Sequence, residues 1–276
     1  MAREVFNRYE RKFVLRQVDA EALEHRLIEF MNPDPHCGQD GSYTISNIYY
    51  DTRDSTLIRA SLAKPVYKEK LRLRAYGVPA LDSRVFLEIK KKLRGRVNKR
   101  RTTLRLDDAY EFVTSRIRPE AGEGANEQII REIDYFLASH ELVPQLYLAY
   151  DRRAFAGDGD SDLRITFDAN IRTRRTDLRL ESGDHGRRVL DSDQVIMEIK
   201  TPRNLPLWLG RMLSEQGIFR RSFSKYGAEY RSRVAERAAG VGDTRSVGDT
   251  HGIGDTHGVG HYRGAAGAHI KELSHA

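Results

Sequence analysis

The sequence lacks several features that would assign a chain of its size to a common class. It has one cysteine, Cys37, in 276 residues, which excludes an intramolecular disulfide and a zinc site built from several cysteines. It contains no run of about 18 apolar residues, and its N-terminus lacks the apolar core of a signal peptide. We therefore expect a soluble cytoplasmic protein without a membrane segment.

Common phosphate and nucleic-acid motifs are also missing. There is no P-loop and no kinase glycine-rich loop, and neither the paired cysteines and histidines nor the aromatic sheet motif of nucleic-acid-binding domains. Tyr43, Tyr49 and Tyr50 could stack on bases, but core packing explains aromatic residues on a strand at least as well. Nucleic acid is therefore not the expected partner, and phosphoryl transfer would need another scaffold.

Positive charge is in excess and follows a pattern. The chain has 47 Lys and Arg against 40 Asp and Glu, a formal net charge of +7, which favours an anionic partner. In segment 68–74, four cations occupy alternate positions. Three other apolar stretches place a glutamate two residues before a lysine, and these pairs are Glu10 and Lys12, Glu88 and Lys90, and Glu198 and Lys200.

Residues two apart share one face of a β-strand, so each of these patterns would charge one strand face. Such pairs are common on solvated strands, where an ion pair is worth about 0–1 kcal/mol. Three pairs and a basic row together favour a charged interior instead, which requires a bound partner. Phosphates threaded among its cations would satisfy the charge, and the glutamates could hold Mg²⁺ or Mn²⁺. The cations meant are Lys70, Arg72, Arg74, Lys90 and Lys200.

Hydrophobic periodicity indicates an α+β protein with a largely antiparallel sheet. It predicts strands near 9–14, 42–51, 66–76, 84–92, 96–106, 145–155, 163–174, 178–180 and 194–201. It predicts helices near 19–31, 55–62, 107–116, 126–140, 205–216 and 225–237. Eight or so antiparallel strands with few helices are typical of a barrel or a sandwich.

The end of the chain has a different character. From residue 240 it carries four imperfect hexapeptide copies, rich in glycine with one apolar residue in six, which is too little to offset the entropy of ordering. We expect residues 1–238 to form one domain and residues 239–276 to form a disordered low-complexity tail.

Six short motifs occur in a fixed order. They are Arg-Tyr-Glu-Arg-Lys-Phe at 8–13, Ile-Tyr-Tyr-Asp-Thr at 48–52, Leu-Arg-Leu-Arg at 71–74, Tyr-Asp-Arg-Arg-Ala-Phe at 150–155, Met-Glu-Ile-Lys at 197–200 and Phe-Ser-Lys-Tyr at 223–226. Over residues 6–230 the chain thus resembles the VTC (vacuolar transporter chaperone) domain, the polyphosphate polymerase branch of the CYTH-like triphosphate tunnel metalloenzymes. The resemblance implies an eight-stranded antiparallel β tunnel or barrel, flanked by helices, whose charged interior holds triphosphate or polyphosphate and a divalent metal.

The resemblance also implies roles for single residues. Those expected to act on the transferred group are Arg72, Arg74, Lys90 and Arg152. Those expected to bind substrate are Lys12, Lys99, Tyr150, Ser224 and Lys225, to which the charge pattern adds Lys70 and Lys200. Glu198 is the expected metal ligand, with Glu10 as a second. The glutamates beside Lys12 and Lys90 are expected chiefly to hold those lysines in place.

The implied reaction is transfer of the γ-phosphoryl group of ATP to a growing polyphosphate chain. Two alternatives stay open: a tripolyphosphatase or nucleoside triphosphatase, in which Glu10 or Glu88 would orient water, and a non-catalytic polyphosphate-binding module. Arg8 stands where the wider superfamily has the first glutamate of Glu-x-Glu-x-Lys, which suits the VTC branch. Ser222 replaces a lysine of the polymerase pattern, and Arg220 or Arg221 could supply that charge.

Overall fold

The computed structural model describes residues 5–7 (backbone only), 9–38, 41–94, 96–120, 122, 124–157, 163–202 and 204–240. Its strands are β1 (Val5–Asn7), β2 (Tyr9–Arg16), β3 (Met31–Pro33), β4 (Tyr43–Asp51), β5 (Tyr67–Tyr76), β6 (Arg84–Leu93), β7 (Arg96–Arg105), β8 (Val143–Gly157), β9 (Arg164–Arg174), β10 (Arg187–Arg188) and β11 (Gln194–Thr201). Its helices are α1 (Gln17–Leu27), α2 (Thr56–Leu62), α3 (Leu106–Ser115), α4 (Glu127–Ser139), α5 (Leu207–Glu215) and α6 (Lys225–Ala238).

The strands form one antiparallel sheet that curls on itself. Their order is β1-β7-β6-β5-β4-β8-β9-β11-β2, with β3 and β10 attached at the side. Because β1 pairs with β7 while β2 pairs with β11, the N-terminal segment lies along both edges of the sheet. The predicted eight long antiparallel strands are therefore confirmed, and they form a curled barrel rather than a two-sheet sandwich.

The outer face of this barrel is apolar and covered by helices. Leu71 and Leu73 of β5 belong to a cluster with Phe112 of α3 and Ile133 of α4. A second cluster joins β2, β9 and β11 to α1 and α5. Since side chains alternate along each strand, burying these residues outward turns the charged residues between them to the inside. The alternation that predicted the strands therefore also sets which residues face inward.

Two predicted elements differ from the structure. Helix α1 ends at Leu27, because Met31–Pro33 pairs with the end of β8 instead. Residues 178–180 form no strand, because main-chain carbonyl groups of this loop accept hydrogen bonds from the guanidinium group of Arg174 instead of from a neighbouring strand. It donates hydrogen bonds of 2.7–3.0 Å to the main-chain oxygens of Asp177, Arg179, Gly183 and His185.

Helix α6 ends at Ala238, at the predicted domain boundary. The predicted tail, residues 239–276, lies outside the described residues apart from 239 and 240. Within the described part of the chain, every helix is too short or too polar to cross a bilayer.

Candidate anion-binding lumen

The space enclosed by the inner faces of the strands, here called the lumen, is lined by charged side chains. Among the described residues, nine cations and four carboxylates form its central group, with a formal excess of five positive charges. The cations are Lys12, Lys70, Arg72, Arg74, Lys90, Lys99, Arg152, Lys200 and Lys225, and the carboxylates are Glu10, Glu88, Asp168 and Glu198. The structure thus brings together every charged residue that the sequence nominated.

Glu88 organises one side of the lumen. Its side chain is fully buried and accepts hydrogen bonds from Arg72 Nε at 2.6 Å and Lys99 Nζ at 3.0 Å, with Arg74 Nε 3.8 Å away. Burial raises the pKa of Glu88, but the three cations outweigh it and hold that pKa well below its usual range. Glu88 is therefore a permanent anion that fixes the Leu-Arg-Leu-Arg arginines.

Polar side chains of neighbouring strands orient the same arginines. Arg74 donates to Asn47 Oδ1 at 3.0 Å and to the Tyr150 hydroxyl at 3.2 Å, and Arg72 donates to the Tyr49 hydroxyl at 3.3 Å. Burial raises the pKa of Tyr49, but the arginine and lysine charges beside it bring the pKa down to about 8. The predicted contact residue Tyr150 therefore lies in the lumen, bound to an arginine.

A second cluster centres on Asp168, which the sequence analysis did not nominate. Asp168 is fully buried and accepts two hydrogen bonds from Arg152, at 2.6 and 2.8 Å, and one from Lys225 at 2.5 Å. Burial raises its pKa, but Arg152 and Lys225 lower it to about 2. In the sequence, segment 164–172 alternates polar and apolar residues, but this alternation does not distinguish Asp168 from the other polar residues.

Glu198 lies at the centre of the lysines. Its carboxylate is 2.9 Å from Lys12 Nζ, 3.2 Å from Lys200 and 3.5 Å from Lys225. Burial raises the pKa of Glu198, and these lysines lower it well below the usual range. Glu198 therefore connects the Asp168 cluster to strand β2.

The three glutamate–lysine pairs of the sequence are not all paired in space. Glu10 binds Lys90 across the lumen at 2.9 Å, and Lys12 binds Glu198. Burial raises the pKa of Glu10, while Lys90 and Lys200 lower it to about 2. The expectation that Glu10 holds Lys12 and Glu88 holds Lys90 is therefore wrong. Because the sheet curls, charged groups on different strands come closer together than groups two residues apart on one strand.

Ser224 is the N-cap residue of helix α6. Its hydroxyl accepts a hydrogen bond from the main-chain N–H of Gly227 at 3.2 Å, which caps the helix, and the next residue, Lys225, enters the lumen. A Cβ on Gly227 would lie 3.0 Å from Leu62 and 3.2 Å from Ser224, so glycine allows the close packing of α6 on α2. Ser224 thus positions Lys225, and its own contact with substrate stays a prediction.

Burial makes two lumen lysines unusually acidic. Burial lowers the pKa of Lys70 to about 8, and burial together with Arg74 and Arg72 lowers that of Lys99 to about 7, against the attraction of Glu88. An anion entering the lumen would restore full charge to both. Arg220, Arg221 and Ser222 are exposed, so the predicted replacement charge lies at the surface.

The donor chemistry of the lumen fits a hard divalent cation. Mg²⁺ and Mn²⁺ are often held by one or two carboxylates and complete their coordination with phosphate oxygens. Glu198 and Glu10 offer such carboxylates among the cations of the lumen. Among the described residues no three His, Cys, Asp or Glu side chains form a cage for a metal, so an ion here would depend on substrate oxygens.

The sequence of the chain matches the model of one protein family. The family model for the VTC domain matches residues 7–234. Vacuolar transporter chaperone complex subunit 4 of Schizosaccharomyces pombe is 26% identical over 185 residues, which cover 60% of this chain and 25% of that protein. The chain therefore spans about a quarter of the length of this relative.

Two solved structures resemble this chain weakly in overall structure. A candidate adenylate cyclase from Bacillus halodurans is 14% identical with a TM-score of 0.49, over 80% of this chain and 96% of the other. HpAC1 from Hippeastrum, a candidate adenylyl cyclase with a dominant triphosphatase activity, is 17% identical with a TM-score of 0.47, over 84% and 96%. Neither likeness bears on the reaction of this chain.

Proposed function

Because this chain belongs to the VTC domain family, we propose that it is a metal-dependent polyphosphate polymerase that transfers the γ-phosphoryl group of ATP to a growing polyphosphate chain. The observation that carries this proposal is the excess of five positive charges in the central group of the lumen. Buried and half-buried cations in such excess need an anionic partner, and a chain of phosphates supplies repeated negative charge.

The state of the carboxylates favours transfer to an acceptor that needs no base. Cations hold all four ionised, and the pKa values of Glu10 and Asp168 are near 2, so they are weak bases at neutral pH. The terminal oxygen of a polyphosphate chain is already anionic. Catalysis then reduces to aligning the two phosphate chains and neutralising charge as the phosphoryl group passes between oxygens.

The arginines are the residues best suited to neutralisation. A guanidinium group can donate two parallel hydrogen bonds to phosphate oxygens, and Arg72, Arg74 and Arg152 are each fixed by a buried carboxylate or amide. Pre-oriented donors of this kind stabilise developing charge without reorganising. Lys90, Lys12, Lys200 and Lys225 would add charge along the remaining phosphates.

A divalent cation, Mn²⁺ or Mg²⁺, would be held by Glu198 with Glu10 and by substrate oxygens. When bound it supplies charge neutralisation for phosphate oxygens. For that site to form, Lys12 and Lys200 must leave the carboxylate of Glu198, to which they are now 2.9 and 3.2 Å away. Phosphates arriving with the metal offer these lysines a replacement partner.

Hydrolysis is the second candidate. It would require Glu10 or Glu88 to orient water, but Glu88 is fully buried and bound to Arg72 and Lys99, which leaves Glu10. A non-catalytic module would use the same lumen for binding alone.

Incubation of the pure protein with ATP and Mn²⁺ separates these functions. Long-chain polyphosphate supports the polymerase, free phosphate supports the hydrolase, and polyphosphate binding without turnover supports the module. The variant Arg72→Ala with Arg74→Ala should lose both binding and turnover, whereas Arg105→Ala, an exposed arginine at the end of β7, should lose neither. Intact binding and turnover in the double variant would refute the lumen as the site.

A further inference from the structure

The lumen face of strands β5 and β6 changes in chemistry from one end to the other. Opposed residues run from lysine facing lysine, through arginine facing glutamate, to arginine facing an aromatic ring. In order, these pairs are Lys68 with Lys92, Lys70 with Lys90, Arg72 with Glu88, and Arg74 with Phe86. The two ends of the lumen therefore offer different partners to a bound molecule.

An aromatic group forms the end beyond Arg74. Tyr76 follows Arg74 on the same strand face, and its ring centroid is 5.7 Å from that of Tyr43 and 5.9 Å from that of Phe86. The guanidinium carbon of Arg101 lies 4.5 Å from the centroid of Phe86. We call Tyr43, Tyr76 and Phe86 the aromatic rim.

Packing alone does not account for the rim. Aromatic side chains on strands usually bury their area against neighbours, but Tyr76 is 52% exposed although it continues the inward-facing row of β5. An exposed tyrosine directly beside phosphate-binding arginines presents an apolar surface where a bound phosphate chain would end. Stacking on aromatic rings is how proteins bind bases without reading their sequence.

We propose that the aromatic rim binds the base of the nucleoside triphosphate, whose phosphates extend along Arg74, Arg72 and the residues beyond. The inference rests on the proposed function, since it assumes that the lumen binds the triphosphate. Tyr76 and Arg72 are four residues apart, about 13 Å along a strand, which leaves room for the ribose and the first phosphates. The base therefore sits outside the charged space, and the phosphates lie inside.

This placement gives the lumen a direction. The terminal phosphate points away from the rim, toward the lysine pairs. Like charges directly opposite each other destabilise a sheet, and Lys70 with Lys90 and Lys68 with Lys92 are such pairs, although Glu10 compensates the charge of Lys90. An anionic chain lying between them removes this repulsion, so the growing polyphosphate would extend over the lysine end.

The test compares ATP with tripolyphosphate, which has the phosphates but no base. Dissociation constants for both are measured calorimetrically with the full chain and with Tyr76→Leu, Tyr76→Phe and Tyr67→Leu. Tyr67 is a matched control, a half-exposed tyrosine at the opposite end of the same strand. Tyr76→Leu should weaken ATP binding about tenfold, the scale of one base–aromatic stack, and leave tripolyphosphate binding unchanged.

Tyr76→Phe, which keeps the ring, should bind both ligands as the native chain does, and so should Tyr67→Leu. If Tyr76→Leu shifts ATP and tripolyphosphate equally, or shifts neither, the rim does not bind the base, while the proposed function stands. If the native chain fails to bind tripolyphosphate, the proposed function itself is refuted, and the assignment of the rim is refuted with it.

Discussion

At the residue scale, the buried carboxylates act as fixed counter-charges. Glu88, Asp168 and Glu198 each contact two or three cations. Taking an ion out of water costs several kcal/mol unless partners compensate, so each carboxylate allows its cations to be buried before any substrate arrives. The carboxylates thereby hold the arginines and lysines in place, and the group keeps a net positive charge.

Replacing Glu88 tests this role. In Glu88→Gln, Arg72 and Lys99 lose their anionic partner and stay buried, so the free energy of unfolding should fall by roughly 3–5 kcal/mol. Tripolyphosphate should raise the melting temperature of this variant more than that of the native chain, because it supplies the missing charge. Thermal denaturation with and without tripolyphosphate measures both effects.

Glu69→Gln is the matched control for this experiment. Glu69 lies on the adjacent strand and pairs with Lys91 at 3.6 Å, outside the Glu88 cluster. Its replacement should change stability little and leave the response to tripolyphosphate as in the native chain. Equal responses in Glu88→Gln and the native chain would contradict the counter-charge role.

Anion affinity should depend on pH through Lys99 and Lys70. Their pKa values are about 7 and 8 in the free protein, and a bound anion favours the protonated form and raises both. Binding must then take up protons as pH rises above 7, so affinity for tripolyphosphate should fall between about pH 7 and 9. Calorimetry in buffers of different ionisation enthalpy measures the proton uptake directly.

The variant Lys99→Arg separates this effect from titration of the ligand itself. Arginine stays charged throughout this range, so the variant should take up fewer protons on binding and lose affinity less steeply with pH. Identical proton uptake by the two proteins would show that Lys99 is already charged when the lumen is empty.

At the element scale, the strands could be predicted because each obeys one local rule. Strands β5 and β6 alternate charged and apolar residues in their central parts, 70–74 and 87–90, and a period of two is enough to place both faces. Strand β3 and the loop at 178–180 depend instead on distant partners, the end of β8 and the side chain of Arg174. No local pattern in the sequence reports such contacts.

The same limit applies to the site. The lining cations were found from alternation and from the family motifs, but their partners were not. Glu10 binds Lys90, and Asp168 binds Lys225, because the sheet curls and helix α6 begins beside it. Pairing across a barrel depends on curvature, which spacing along one strand does not contain.

The cap of α6 is a testable element. Ser224→Ala removes the acceptor for the Gly227 N–H, which should cost about 1 kcal/mol of stability, and it loosens the turn that places Lys225 beside Asp168. Tripolyphosphate affinity should fall as well, whereas Ser214→Ala, an exposed serine of α5, should change neither. Denaturant unfolding and calorimetry provide the two measurements, and an unchanged affinity would show that Lys225 keeps its place without the cap.

At the scale of the whole molecule, the barrel is inverted relative to a usual small one, which fills its interior with apolar side chains. Here the helices cover an apolar exterior and the charged residues face in. Stability then comes from the helix-covered layers, so the interior is free to serve an anion. Substitutions in the lumen should accordingly affect binding before they affect the fold, except where they leave a buried charge alone.

The tail should be dispensable for this function. We propose that residues 1–238 form the functional domain, so a chain ending at 240, which keeps all of α6, should match the full chain in melting temperature, tripolyphosphate affinity and product formed from ATP. Parallel assays of the two proteins measure all three. Loss of activity on truncation would place part of the function in residues 241–276.

The N-terminal segment closes the barrel unevenly. Among the described residues, its contact with β11 extends over eight residue pairs, from Tyr9 to Arg16, whereas the contact of Val5–Asn7 with β7 has three. Local opening of a fold begins where the fewest interactions must break, so the wall should part between β1 and β7 first. A long anionic polymer would then have a sideways route into the interior, and chains blocked at both ends could be admitted without threading.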